Sequence, residues 1–361
     1  MSERTDAPRD TTDPAVALEQ EARPTSYDVA RLAGVSVSAV SLALNGRPGL
    51  GDSTRQRILD VAAELNWRPH RAARALKGAI SDVAGLVIAR PARTLGVEPF
   101  FAHLLSGLQS RLSHDAIALQ LLIVEDTAAE IETYRRWAAE RRVGGVVLLD
   151  LAVDDPRPDA VSELGIPAVA VGGFGTLRGI TNVWADDFGA MSSLVSYLVA
   201  LGHRRIGHIS GTPSFEHTHR RMEAIGALAD DFGLDITSIS TDYSDQQGAD
   251  ATRSLLASRN RPSALVYDSD VMAVAGLGVA MEMGVAVPSS LSIASFDDSV
   301  LTQLTHPAIT SLTRDTYSLG TLVAEELLQT MTAGARTHTV QAATPSLVVR
   351  GSTAPPPTLE P

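Results

Sequence analysis

The residues with the most obvious potential for chemistry are adjacent carboxylates, a few histidines and glycine-rich turns. The carboxylates form two pairs, Asp186-Asp187 and Asp297-Asp298, of the kind that can act as general acid and base. The four histidines between residues 203 and 219 lack the spacing of a metal site, and the chain has no cysteine. No glycine pattern matches a dinucleotide- or phosphate-binding loop. Because paired acids more often cap helices or bind ligands, the sequence predicts a protein without catalytic activity, metal or cofactor.

A more specific pattern lies in residues 26–45, which have the periodicity of two short helices around a tight turn. Gly34 supplies the positive φ that ends a helix, and Ser36 is a good N-cap for the next one. The apolar positions at helical spacing are Val29, Ala30 and Ala33 in the first half and Val37, Val40 and Leu44 in the second. This arrangement predicts a helix-turn-helix, whose second helix enters the major groove of DNA.

The charge distribution supports a contact with nucleic acid. The whole chain carries a formal net charge of −12, yet residues 23–78 hold nine basic and four acidic residues, giving +5. The remainder therefore carries −17. A basic module joined to an acidic body is typical of a DNA-binding domain linked to a separate ligand-binding domain.

Composition excludes several classes of protein. No apolar run approaches the roughly 20 residues that span a bilayer. Residues 1–22 are polar and acidic, so we expect a disordered tail rather than a signal peptide. Together these features predict a cytoplasmic protein with no membrane contact and no disulfides.

Beyond the first two helices, Asp52 or Ser53 is expected to cap a third helix that stops before Asn66. Its packed side is expected to carry Ile58, Leu59, Val61, Ala62 and Leu65. A short helical run follows at residues 70–77. From residue 81 apolar strands alternate with amphipathic helices near 100–112 and 131–141, which predicts parallel sheets covered by helices. The predicted strands are 83–89, 118–124, 145–150, 168–171, 206–210, 236–239, 264–267 and 292–296.

These motifs closely resemble the LacI/GalR family of bacterial transcriptional regulators, from about residue 25 to residue 355. The resemblance is strongest at residues 27–36, 40–41 and 44–46. Further matching segments are 55–58, 63–69, 73–77, 98–101, 202–206, 287–288, 295–298 and 347–351. The resemblance implies an all-α helix-turn-helix domain with a hinge helix, followed by an α/β effector domain like the periplasmic binding proteins, made of two parallel-sheet subdomains.

The implied domain boundaries follow the same order along the chain. They are a tail at 1–22, a DNA-binding domain at 23–69, a hinge at 70–80, an effector and dimerisation domain at 81–354, and a flexible end at 355–361. The first subdomain comprises about 81–184 and 313–342, and the second about 185–312 and 343–354. The family resemblance further implies a homodimer on pseudo-palindromic, double-stranded operator DNA, controlled by a small molecule in the cleft.

The resemblance also implies which residues meet DNA. Val37, Ser38 and Leu42 match base-reading positions. The family frequently has arginine at the position of Leu42, where leucine offers only apolar contact, so the operator sequence cannot be inferred from other members. The phosphate-contacting positions correspond to Thr25, Tyr27, Ser36, Ser41 and Asn45. The hinge positions, where Leu76 would wedge into the minor groove, correspond to Arg71, Ala73, Arg74, Leu76 and Lys77.

For the effector cleft, the family positions correspond to Phe100, Phe101, Trp184, Arg221, Tyr243, Asp270 and Asp297. Aromatic faces with Arg and Asp are suited to a sugar, whose C–H faces stack and whose hydroxyls pair. Two departures weaken that inference, because Gly172 stands where aspartate is common and Ser269 where asparagine is common.

Several functions remain open. The expected activity is repression of carbohydrate-use genes, but an activator or a corepressor-dependent repressor with a non-sugar effector fits the same sequence. A solute-binding protein without a DNA role would lack residues 25–78 and carry a signal peptide, and this chain shows the opposite.

Overall fold

The computed structural model describes residues 24–44, 48–67, 81–90, 96, 98–173, 175, 177, 179–332 and 336–357. The chain divides into two compact units, Met1–Ala79 and Ile80–Pro361. Three predicted features lie outside the described residues: the tail at 1–22, Asn45 and the hinge at 70–80.

The first unit contains three helices, α1 (Ser26–Ala33), α2 (Val37–Leu44) and α3 (Asp52–Glu64). Helices α1 and α2 meet at 99°, which confirms the predicted helix-turn-helix. Among the described residues no single helix is long and apolar enough to cross a bilayer, although this bent pair passes on length and composition alone. The three helices share one small core built from Val29, Ala30, Ala33, Val40, Ala43, Ile58 and Ala62.

The helix caps of the first unit agree in part with those predicted from the sequence. Gly34 has a φ of 65° and its N–H reaches the carbonyls of the last turn of α1, as predicted. The Ser36 hydroxyl accepts from the Ala39 N–H at 3.2 Å and so caps α2. The expected cap of α3 was wrong: Gly51 is the N-cap, and Asp52 is the first helical residue, where its charge favours the helix dipole. Leu59, expected on the packed side, is 37% exposed.

The first half of the second unit is a six-stranded sheet in the order β11-β5-β4-β3-β1-β2, with every neighbouring pair parallel. Its strands are β1 (Val83–Ile88), β2 (Ala118–Ile123), β3 (Gly145–Leu148), β4 (Ala168–Val171), β5 (Thr181–Trp184) and β11 (Thr339–Gln341). Its helices are α4 (Pro99–His114), α5 (Thr127–Glu140), α6 (Arg157–Glu163) and α12 (Thr316–Thr330). We call this half the first subdomain.

The second half repeats the plan in the order β12-β10-β9-β8-β6-β7, and only the edge pair β10–β12 is antiparallel. Its strands are β6 (Arg205–Ser210), β7 (Asp235–Ser240), β8 (Ala264–Tyr267), β9 (Ser292–Ser295), β10 (Thr310–Thr313) and β12 (Ser346–Val348). Its helices are α7 (Asp187–Ala200), α8 (Glu216–Phe232), α9 (Asp245–Ala257), α10 (Asp270–Glu282) and α11 (Val300–Leu304). We call this half the second subdomain.

The chain passes between the two subdomains three times, after β5, after β10 and after β11. All eight predicted strands are present, and β5, β10, β11 and β12 were not predicted. Because parallel strands end at the same edge of a sheet, the residues after β1, β3 and β4 lie together at the mouth of a cleft. This edge positions the groups described below.

Helix α4 sets one wall of that cleft through an unusually close crossing with α12. A Cβ at Gly107 would lie 2.0 Å from the Tyr317 carbonyl oxygen, and one at Gly320 would lie 2.3 Å from the Leu104 carbonyl oxygen. Two glycines therefore allow the helix backbones to touch. The packing fixes the start of α4, where Phe100 and Phe101 stand.

Candidate DNA interface and effector cleft

Helix α2 presents a small, uncharged face. Val40 and Ala43 are buried in the core, whereas Ser38 is exposed and Val37 and Leu42 are half-buried. Ser38 and Leu42, one turn apart, therefore lie on the side of α2 that faces away from the core, whereas Val37 at the start of the helix also packs against the core. Side chains of this kind can make apolar and hydroxyl contacts to base edges but no bidentate contact to guanine.

Three of the predicted phosphate-contacting residues, Thr25, Tyr27 and Ser36, lie at the starts of α1 and α2, whereas Ser41 lies within α2 and is half-buried. Thr25 precedes α1, where its N–H and hydroxyl both donate to the Asp28 carboxylate, at 2.9 and 2.7 Å. This pairing holds the pKa of Asp28 below its ordinary value. Tyr27 is 74% exposed, and Ser36 is exposed beside Ser38. Exposed hydroxyls near two helix N-termini suit phosphate oxygens.

In the second unit, the two subdomains enclose a polar cavity with a free volume of about 70 Å³. Five of the seven predicted effector residues line it: Phe100, Phe101, Arg221, Tyr243 and Asp297. Gly172 also lines it, whereas Trp184 and Asp270 are not part of its wall. The lining residues that the sequence did not assign to the effector site include Arg90, Glu98, Asp150, Asp187, His217 and Arg314.

Arg221 forms the floor of the cavity and is 2% exposed. Its Nη2 lies 3.2 Å from Oδ1 of Asp187, and its Nη1 donates to the Asp268 carbonyl at 3.2 Å. The guanidinium stacks 3.5 Å from the ring centre of Phe296. Burial raises the pKa of Asp187 although Arg221 opposes this. Arg221 is therefore held by a carboxylate, a carbonyl and a ring of its own chain.

Arg314 and Asp297 form a second pair, with Nη2 of Arg314 donating to Oδ1 of Asp297 at 2.8 Å. The guanidinium lies 4.8 Å from the ring centre of Phe100. Asp270 lies behind this pair, where burial and then the charge of Asp297 raise its pKa to about 6. Asp270 is therefore a buried neighbour of this pair and not part of the cavity wall.

Tyr243 enters the cavity through a tight approach to the backbone. A Cβ at Gly211 would lie 1.8 Å from the Tyr243 ring, so only glycine fits there. The phenol oxygen meets His217 Nε2 at 2.9 Å and the Thr218 hydroxyl at 2.7 Å. Burial lowers the pKa of His217 to about 3, so the imidazole is neutral. Histidine here is a hydrogen-bonding group.

Glu98 is a strongly perturbed carboxyl of the cavity. Burial raises its pKa to about 8, even though Arg90 lies 3.4 Å away and opposes this. The folded protein therefore keeps a proton on Glu98 that the unfolded chain, with its ordinary pKa near 4.5, releases. This contribution to stability is complete below pH 4.5 and is lost as the pH rises to about 8.

Substituting Glu98→Gln, which mimics the protonated carboxyl, is expected to remove that dependence. Relative to the variant, the wild type should lose about 1.4 kcal/mol of unfolding free energy per pH unit between about pH 4.5 and 8, and none above. Urea unfolding followed by circular dichroism at several pH values measures the difference. Parallel profiles for the two proteins would show that Glu98 is ionised at neutral pH.

Two of the cavity residues that were not predicted could have been found from the order of the strands. Arg90 follows the apolar strand β1 and Asp150 follows β3, its direct neighbour in the sheet. Charged residues directly after two neighbouring parallel strands must meet at one edge. By contrast, His217 and Arg314 carry no local signal, because they follow a loop and an unpredicted strand.

The two units match two described protein families. Residues 25–70 match the model "Bacterial regulatory proteins, lacI family", and residues 195–353 match a periplasmic binding protein-like domain. The regulator CelR of Thermobifida fusca is 31% identical over 321 residues, covering 87% of this chain and 94% of its own. The chain belongs to the LacI family. MalR of Streptomyces coelicolor, a second HTH-type regulator, is 30% identical over 342 residues, covering 91% of this chain and 96% of its own.

Solved structures of LacI-family proteins agree with this fold. A regulator from Bifidobacterium animalis subsp. lactis has a TM-score of 0.70 at 31% identity, covering 77% of this chain and all of its own. The CelR–cellobiose complex has a TM-score of 0.69 at 28% identity, covering 91% and 100%. The lac repressor dimer on its operator shares the fold, with a TM-score of 0.79 at 24% identity, covering 92% and 100%. The relatives are transcriptional regulators rather than enzymes, and this LacI-family chain is a DNA-binding transcriptional regulator.

Proposed function

We propose that this LacI-family regulator is a cytoplasmic repressor that binds a pseudo-palindromic operator as a homodimer and releases it when an uncharged sugar enters the cleft. The observation that supports a sugar as the ligand is the composition of the cavity wall. Aromatic rings, a neutral imidazole and paired charges converge there from both subdomains. Such a wall stacks on C–H faces and pairs with hydroxyls that both donate and accept.

The pairing of the charges favours a neutral ligand. Each arginine of the cavity wall already has a carboxylate: Asp150 beside Arg90, Asp187 beside Arg221 and Asp297 beside Arg314. An anionic ligand would have to compete with these carboxylates, whereas a hydroxyl can accept from the arginine and donate to the acid. The presence of cellobiose in the CelR complex supports the same class of ligand.

Exposed apolar side chains on packed neighbouring helices support a homodimer. Met281 at the end of α10 is 68% exposed, and Val300 and Leu304 of α11 are 59% and 70% exposed. A second copy of the chain would cover them, and two recognition helices related by a two-fold axis fit a palindromic site.

The acidic pairs support a binding role rather than catalysis. Asp298 makes a double ion pair with Arg350, and Asp297 pairs with Arg314. Asp186 caps α7 by accepting from the Gly189 N–H at 2.8 Å. With these partners, the carboxylates serve structure and ligand recognition.

Selection of duplexes from a random pool by the full chain tests the proposal, followed by titration of the selected site with and without cellobiose and other neutral sugars. We expect enrichment of a pseudo-palindrome and at least about a tenfold loss of affinity with one sugar. Leu42→Ala should weaken only the selected site, by about 1–3 kcal/mol. Tyr27→Phe, the matched control, should weaken selected and random duplexes alike.

Each outcome separates one part of the proposal from the rest. A selected sequence without symmetry would contradict the homodimer. A sugar that tightens operator binding would make the protein corepressor-dependent. Retained operator binding with no response to any neutral sugar would contradict the ligand class alone.

A further inference from the structure

Arg90 is the residue that most directly joins the two walls of the cleft. It follows β1 in the first subdomain and is 8% exposed. Its Nε donates to Oδ2 of Asp150 at 2.8 Å, and its Nη1 lies 3.4 Å from Oε1 of Glu98. Both carboxyl groups belong to the first subdomain, so that side of the cleft anchors the guanidinium.

The opposite side of the same guanidinium faces aromatic rings. Its carbon lies 4.8 Å from the ring centres of both Phe215 and Tyr243, which belong to the second subdomain. Phe101, from the first subdomain, is 5.7 Å away. Three rings and two carboxyl groups form a cage of the kind that binds organic cations, and here the chain supplies its own cation.

The neighbouring backbone fixes both halves of this cage. Ala152, just after Asp150, forms a bridge with Phe215. The Val153 N–H donates to the Ser214 carbonyl at 2.9 Å, and the Glu216 N–H donates to the Leu151 carbonyl at 2.8 Å. The loop that anchors Arg90 is therefore paired with the loop that carries one of its rings.

Arg90 also takes up space in the cleft. It lines the cavity, whose free volume is about 70 Å³, whereas ligand pockets usually measure about 300 Å³ or more. A guanidinium in this wall therefore reduces the space open to a ligand.

We propose that Arg90 is a clasp: its guanidinium holds the two subdomains together across the cleft, and a ligand must displace it. The identification of the cleft as the effector site rests on the proposed function, but the cage and its cation do not. Displacement of Arg90 by a ligand would remove its contacts with Phe215 and Tyr243, which add to the backbone pairing between the two subdomains, and would so loosen one subdomain relative to the other.

Chemical rescue of Arg90→Ala tests the clasp without DNA or effector. Cutting the side chain leaves Asp150 and the three rings without their cation, so we expect the Tm to fall by about 4–10 °C. Millimolar ethylguanidinium should restore at least half of that loss, whereas N-ethylurea, which has a similar shape and no charge, should not. The control is Arg253→Ala, which removes a surface arginine paired with Asp250 and Glu282 and should show no rescue.

A distance measurement checks that the clasp acts between subdomains. Because the chain has no cysteine, Glu132→Cys on α5 and Gln246→Cys on α9 allow one spin label on each subdomain. The distance distribution should broaden in Arg90→Ala and narrow again with ethylguanidinium. If Arg90→Ala fails to fold, Arg90→Met, which keeps the apolar stem, should still broaden it. The clasp would be overturned by equal rescue with ethylguanidinium and N-ethylurea, by no rescue at all, or by an unchanged distance distribution in a folded variant. None of these results would bear on the proposal that the protein is a repressor that binds an operator.

Discussion

Replacing Arg221 by methionine is expected to lower the free energy of unfolding by about 3–5 kcal/mol and to abolish the response of operator binding to effector. The side chain is 2% exposed, and its removal leaves the buried carboxylates of Asp187 and Asp268 without their shared cation. Methionine fills much of the volume, so the loss measures charge more than packing. Urea unfolding followed by circular dichroism gives the first quantity.

The neighbouring Arg220 offers a matched control on the same helix. It pairs with Glu223 on the surface, so Arg220→Met should cost less than about 1 kcal/mol and leave the effector response intact. Adding Asp187→Asn to Arg221→Met should recover part of the lost free energy of unfolding, since it removes a buried carboxylate that no longer has its arginine partner. Equal destabilisation by the two arginine substitutions would contradict a central role for Arg221.

A further variant, Arg221→Lys, shows whether the charge of the Arg221 side chain or its planar shape is needed. Lysine keeps the cation but lacks the planar group that stacks on Phe296 and reaches Asp187 and the Asp268 carbonyl together. If Arg221→Lys keeps its stability but loses the effector response, the planar guanidinium is needed for the ligand. If it loses both, the guanidinium is needed for the fold.

The strands with the clearest sequence signal are those that are completely buried and apolar. The strand β1 (Val83–Ile88) is buried at every position, as is β8 (Ala264–Tyr267), so an uninterrupted apolar run marks each. The missed strands β5 and β10 carry buried polar residues instead: Thr181 and Asn182 in one, Thr310 and Ser311 in the other. Their position follows from pairing with strands distant in sequence, which local patterns do not contain.

The residues of the candidate site likewise fall into those that the sequence predicted and those that it did not. Phe100, Arg221 and Asp297 were predicted because they match effector-binding positions of the family, whereas Arg90 and Glu98 line the cavity without having been assigned to it. Arg90 is explained by Asp150, sixty residues later in the chain, and by rings from the other subdomain. Pairings of this kind are produced by the tertiary fold and leave no periodic signal, although the parallel order of β1 and β3 brings their ends together.

The second large effect is expected at the hinge, which lies outside the described residues and rests on the family resemblance. Leu76→Ala should lower affinity for the operator by about 30- to 100-fold and change affinity for random duplex by less than about twofold. A leucine that wedges between base steps contributes only where the duplex is kinked at a specific site. Titration of both duplexes at one fixed salt concentration measures the two affinities.

Two further variants show whether the wedge, rather than the charge of the hinge, is responsible. Leu76→Met keeps an apolar side chain of similar size and should retain most of the operator affinity. Lys77→Ala removes a basic side chain of the predicted hinge, which we expect to contact a phosphate, so it should weaken binding to both duplexes and reduce the dependence of affinity on salt. An equal fall for operator and random duplex in Leu76→Ala would place Leu76 with the phosphate-contacting residues. The specificity of this regulator would then depend on the small, uncharged face of α2 alone.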